Sequence, residues 1–114
     1  MSAAYTVRQV GDVTIVDVVG RITLGEGSDG LRDKIGELVV QDKKKVILNL
    51  AETWYIDSSG IGELVSGFTR LSNCGATLKL LVLCQQPKHM FKITKLNETF
   101  EVFEDEAEAV ASFR

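Results

Sequence analysis

Scarcity says much about this 114-residue chain, which has one proline, two cysteines, one histidine and one tryptophan. With His89 alone and cysteines only at Cys74 and Cys84, no His/Cys cluster has metal-ligand spacing, and a zinc site is not expected. Two cysteines without a secretory segment point to reduced, packed thiols. The opening residues, Met1-Ser2-Ala3-Ala4-Tyr5-Thr6-Val7-Arg8, lack the basic flank and apolar stretch of a signal peptide. No apolar run approaches the ~20 residues of a membrane span, so no membrane insertion and a cytoplasmic location are expected. A net charge of −3 with both signs interspersed offers no footprint for nucleic acid or anionic lipid. What remains is an ordinary apolar content, 45%, in a chain long enough for one domain, 1–114, that buries roughly two-thirds of its unfolded surface.

Hydrophobic periodicity then orders the chain. Tyr5 to Val10 and Val13 to Val19 read as strands joined by Gly11-Asp12, an antiparallel hairpin. A loop from Gly20 to Ser28 leads to a helix over 29–40 with Leu31, Ile35, Leu38 and Val39 on its inner face. Lys43-Lys44-Lys45 solvates the turn before Val46 to Leu50, a short apolar run of the central-strand kind. A second buried-type strand spans Leu78 to Leu83, and Pro87 suits the first turn of a helix running to about Lys95. Phe100 to Phe103 reads as an edge strand, and 105–113 as a closing helix with Ala107, Val110 and Ala111 inward. The order is ββαβαβαβα, which predicts an α/β domain with a mixed, mainly parallel sheet and right-handed crossovers.

Between the Val46 to Leu50 strand and the next helix lies Tyr55-Ile56-Asp57-Ser58-Ser59-Gly60-Ile61-Gly62. The helix that follows carries Ile61, Leu64, Val65, Phe68 and Leu71 as an apolar stripe and stops near Asn73-Cys74-Gly75. A serine hydroxyl is thereby placed at a helix N-terminus, where unpaired amides and the positive end of the macrodipole tolerate an added anion. Such a serine suits phosphorylation. Capping alone accounts for one serine. Neither serine has Glu or Gln three positions on, whereas Gly60 has Glu63 there. The helix is therefore expected to begin near Gly60, with Asp57, Ser58 and Ser59 ahead of it, and spacing does not choose between the serines. Gly62 and Gly67 inside the helix, each costing about 1 kcal/mol against alanine, imply a close approach, by the sheet or by a partner.

Two enzymatic readings fail on particulars. Gly25-Glu26-Gly27-Ser28-Asp29-Gly30 matches GxGxxG, with Glu52 some way downstream. Yet Gly20 to Leu24 separates it from the strand it should follow directly, and the chain is too short for two mononucleotide-binding halves. A helix cap by Ser28 or Asp29 is the better account. A serine hydrolase needs GxSxG, but Ile56-Asp57-Ser58-Ser59-Gly60 stands here, and His89, near Lys88 and Lys92, has the setting of a solvated residue. No catalytic residue and no cofactor is assigned.

The Asp57-Ser58-Ser59-Gly60 motif behind the Val46 to Leu50 strand, with the opening hairpin, Val18-Val19-Gly20, Gly75-Ala76-Thr77-Leu78 and Phe103-Glu104-Asp105-Glu106 in matching order, resembles the STAS-domain anti-sigma factor antagonists of bacteria. The resemblance covers essentially the whole chain. It implies helices packed largely on one side of the sheet and a binding protein that is a substrate, not an enzyme. In that family the unphosphorylated form binds an anti-sigma factor, itself an ATP-dependent GHKL-type serine kinase, and frees the sigma factor. The kinase acts on the serine after the motif's aspartate, here Ser58, and a PP2C-type phosphatase reverses it. Ile61, Gly62, Glu63 and Ser66, with Arg21 and Thr23 of the Gly20 to Ser28 loop, are the candidate partner contacts. Family members often carry an acidic residue where Thr23 stands. Other STAS domains are unphosphorylated scaffolds in stress-signalling or lipid- and anion-transport assemblies, the alternative reading.

Overall fold

The computed structural model describes residues 3–114. Strands β1 (Ala3–Val10) and β2 (Val13–Ile22) form the hairpin, with Val10 opposite Val13 and Gly11 in the left-handed region (φ 61°) that a two-residue turn requires. Helix α1 (Glu26–Val40), strand β3 (Lys45–Ile56), helix α2 (Ser58–Asn73), strand β4 (Thr77–Val82), helix α3 (Gln85–Ile93), strand β5 (Val102–Phe103) and helix α4 (Glu106–Ala111) follow. A short 3-10 turn at Leu96–Glu98 joins α3 to β5. The sheet order is β1-β2-β3-β4-β5, antiparallel in its first pair and parallel thereafter.

Alternation along the strands feeds two cores. On one face Val16, Val18, Ile22, Leu48, Leu50, Leu80 and Val82 meet Leu31, Ile35 and Leu38 of α1, Leu64 and Leu71 of α2, and Phe91 of α3. On the other face Val13, Ile15, Ile47 and Leu81 meet Ala109 of α4. Three helices thus share one side and α4 takes the other. Gly67 sets the α1–α2 distance, since a Cβ there would lie 2.2 Å from Ile35 Cδ1. Gly62 faces open space. Of the two close approaches expected at these glycines, that at Gly67 is made by a neighbouring helix and that at Gly62 by nothing among the described residues.

Several boundaries differ from the sequence reading, for local reasons. β2 continues through Ile22, because Val19 to Ile22 pair with β3. β3 continues six residues beyond Leu50 and absorbs two register shifts against β2, so its pattern of burial is interrupted by the exposed Glu52, Trp54 and Tyr55 while the ladder persists. α1 starts at Glu26, inside the glycine-rich run, and its N-cap Gly25 (φ 95°) makes no side-chain cap; neither Ser28 nor Asp29 caps it. The run's glycines serve packing: the Tyr5 hydroxyl donates to Gly27 O at 2.7 Å, and a Cβ on Gly30 would lie 2.7 Å from the Tyr5 ring. In α4 it is Ala109 that is buried, with Val110 half-buried and Ala107 and Ala111 exposed.

Candidate functional site

β3 delivers its last residue, the buried Ile56, to the rim of the sheet, and the chain turns there into α2. Gln86, in the first turn of α3, holds that end: its side-chain oxygen accepts from Ile56 N at 2.8 Å and its nitrogen donates to Ile56 O at 2.9 Å. The amide of Gln86 stands in for the strand that β4, ending at Val82, no longer supplies. Thr53, fully buried, donates to Val18 O at 2.9 Å and ties the same stretch to β2.

Asp57 is the N-cap of α2. One carboxylate oxygen accepts from Gly60 N at 2.9 Å, and the other accepts from Leu24 N at 3.0 Å. Both oxygens are therefore engaged, one by the helix and one by the β2–α1 loop. The helix starts at Ser58, two residues before the expected Gly60, because the cap is the aspartate and neither serine. Ser58 occupies the first helical position with an exposed side chain, and Ser59 the second, half-buried. Gly60, in the third, is buried against β2 and β3: a Cβ there would lie 2.4 Å from Ile22 O. With Gly60 N bonded to Asp57 and Ile61 N to Asp57 O at 2.9 Å, the amides of Ser58 and Ser59 have no intrahelical acceptor.

The remaining candidate residues divide by face. Gly62 and Ser66 are exposed on α2, and Ile61 is half-buried against the main core. Glu63 accepts from Arg32 of α1 at 3.3 Å, and Arg32 also bonds Asp29 at 2.9 Å. Thr23 is half-buried in the loop that Asp57 holds, and its carbonyl accepts from Ser28 N. Beside it Leu24 is 78% exposed. Arg21 departs from the group: its neighbour Ile22 faces the helix-side core, so Arg21 projects from the opposite face of β2. The Leu24 and Gln86 contacts have no sequence motif, since each joins groups about 30 residues apart.

His89 is exposed on α3, and Cys74 and Cys84 are free thiols. Among the described residues no group of His, Cys, Asp and Glu side chains is arranged to hold a metal, and no helix is long and apolar enough to cross a membrane.

A single α/β domain with a mixed five-stranded sheet, whose distinguishing rim is an aspartate-capped helix presenting an exposed serine, is the class of structure defined here. The STAS domain family matches residues 4–109, and the chain belongs to it. Among solved structures, an anti-sigma factor antagonist from Mycobacterium paratuberculosis superposes with a TM-score of 0.86 at 18% identity, covering 97% of this chain and 93% of that one. The Bacillus cell-fate determinant SpoIIAA in its phosphorylated form gives 0.74 at 20% identity, covering 97% and 100%. The murine anion transporter Solute Carrier 26 family member A9 gives 0.76 at 19% identity over 91% of this chain but 18% of the transporter. At such identities these likenesses establish the fold.

Proposed function

We propose that the protein is an anti-sigma factor antagonist switched by phosphorylation of Ser58. The observation that carries this reading is the exposed Ser58 hydroxyl at the first position of α2, next to an aspartate whose two oxygens are already committed. The full-length likeness to a phosphorylated SpoIIAA supports it. In its unphosphorylated form the α2 rim, with Ser59, Ile61, Gly62, Glu63 and Ser66 and the nearby Thr23, docks an anti-sigma factor that is also a GHKL-type serine kinase. The protein is bound and modified and turns nothing over. In the modifying step Ser58 Oγ attacks the γ-phosphorus of ATP, ADP departs, and the hydroxyl proton is released to solvent. A PP2C-type phosphatase returns the serine and inorganic phosphate by adding water.

The added group carries about −1.5 to −2 charge at neutral pH. It sits beside the Asp57 carboxylate and at the positive end of α2, whose free Ser58 and Ser59 amides offset part of that charge. The fold therefore persists while the docking surface gains charge and bulk. Losing about 3 kcal/mol of binding corresponds to more than a hundredfold in affinity. Site-mapping mass spectrometry of protein purified from its host, before and after a Mg-dependent serine phosphatase, tests the reading. A phosphatase-sensitive phosphate on Ser58, with Ser58→Asp releasing the partner that Ser58→Ala retains, is the expected result. No phosphate under growth or stress, and binding indifferent to both substitutions, refutes it. That outcome would favour a scaffold role, a reading that the likeness to part of an anion transporter supports.

A further inference from the structure

The second face of the sheet is only half covered. α4 lies over Val13, Ile15, Ile47 and Leu81. Towards the C-terminal ends of β2 and β3, Val19 and Tyr55, each 42% exposed, stand with Leu83, 45% exposed at the end of β4. Thr6, Arg8, Asp17, Val19, Asn49 and Glu52 line a shallow depression of about 360 Å³ there. Within this open half the register pairs Val19 with Glu52 and Arg21 with Tyr55. Directly paired residues share a face, so the four side chains form a quadrilateral. One diagonal is apolar, Val19 to Tyr55. The other carries opposite charges, Arg21 and Glu52, and among the described residues neither makes an ion pair.

We propose that this patch is a self-association surface on which a second copy of the chain docks. A two-fold axis along the Val19–Tyr55 diagonal lays each apolar residue on its own equivalent, and brings Arg21 of one copy over Glu52 of the other, twice. Isologous contacts require a patch that is its own complement, and opposite charges mirrored across an apolar diagonal meet that requirement. An unrelated partner would impose no such symmetry. With strands ~4.8 Å apart and a two-residue step of about 6.7 Å from Val19 to Arg21, which the bulge at Trp54 matches to the three-residue step from Glu52 to Tyr55, the strands of the two copies cross at roughly 70°, within the near-orthogonal mode of sheet packing. The open half-face is three strands wide, so the contact falls below the standard interface size and makes a weak, concentration-dependent dimer. It lies on the sheet face opposite α2, at the end of β3 that leads into Ser58. The proposal stands independently of the switch.

Sedimentation velocity on the full chain from about 5 to 500 μM, at low salt so that the ion pairs are not screened, tests it. The wild type should move from monomer to dimer across that range. Arg21→Glu alone places two acidic pairs in the contact and Glu52→Arg alone two basic pairs; each should raise the dissociation constant at least about tenfold. An equimolar mixture of these two variants should dimerise again, since Glu at 21 then meets Arg at 52 and Arg21 meets Glu52. The double variant should do so by itself. Circular dichroism melts of the exposed-site variants verify their folding. A wild type that stays monomeric at 500 μM, a dimer insensitive to either single swap, or a mixture that remains monomeric overturns the proposal.

Discussion

Replacing Asp57 isolates what holds the serine in place. In Asp57→Ala the α2 cap bond from Gly60 N and the loop bond from Leu24 N are both lost. Removing an N-cap aspartate costs about 1 kcal/mol, and a hydrogen bond to a half-buried carboxylate is worth about another 1 kcal/mol. For a domain of this size 1 kcal/mol moves the melting temperature by roughly 4–8 °C, so Asp57→Ala should melt roughly 10 °C lower. Asp57→Asn keeps one acceptor but turns its amide N–H₂ towards the other donor, and should lose about half as much. Hydrogen exchange localises the effect. The amides of Leu24 and Gly60 should both exchange faster in Asp57→Ala, while the core of β3 is slowed or hastened only through global stability. An unchanged Leu24 amide would refute the view that Asp57 latches the β2–α1 loop. A melting point within about 1 °C of wild type would refute the whole account.

Two of the three α2 glycines, Gly62 and Gly67, give opposite outcomes. Gly62→Ala meets no atom within 4 Å and should stabilise the protein by about 1 kcal/mol while weakening partner binding, measured by thermal melts and calorimetric titration; stronger binding would remove Gly62 from the interface. Gly67→Ala collides with Ile35 and should destabilise by about 1–3 kcal/mol. A third prediction concerns pH. Arg8 bonds Asp17 at 2.7 Å and also pairs with Glu106, and the hydrogen bonds from Arg8 hold both carboxyls below the usual range, with Asn49 assisting at Asp17. A folded pKa below the unfolded one contributes stability that is complete above about pH 5 and is lost as pH falls through the folded values. Arg8→Gln should therefore lie below wild type at neutral pH and converge with it in acid; parallel melting curves from pH 7 to about pH 2 would contradict this.

Most of the element order was legible because it rests on side-chain period alone: Leu31, Ile35 and Leu38 fall on one helix face, and Val46 to Leu50 form a buried run. What escaped detection depends on partners distant in sequence. β3 extends to Ile56 because β2 runs alongside it and Gln86 closes its free edge, contacts that no window of ten residues contains. The helix start at Ser58 was misplaced by a rule that seeks Glu or Gln three residues on, whereas Asp57 caps on its own. Spacing left Ser58 and Ser59 undivided, and the greater exposure of Ser58 follows only once Asp57 is assigned as the cap. Arg21 stands on the other face from the α2 rim because the expected loop from Gly20 is in fact strand, where alternation sends neighbours to opposite sides.

Phe113 and Arg114 lie beside Val10, Gly11, Asp12 and Lys45, at the β1–β2 turn and the start of β3. Ser58 follows the other end of β3. An attachment made after Arg114, whether a fluorophore, a sensor surface or a fused domain, would leave the molecule at the pole remote from Ser58, the serine proposed as the switch. Immobilised in that orientation, the domain would present Ser58 to the solution, and a kinase, a phosphatase and a docking partner could be exchanged over one chip without steric interference from the tether.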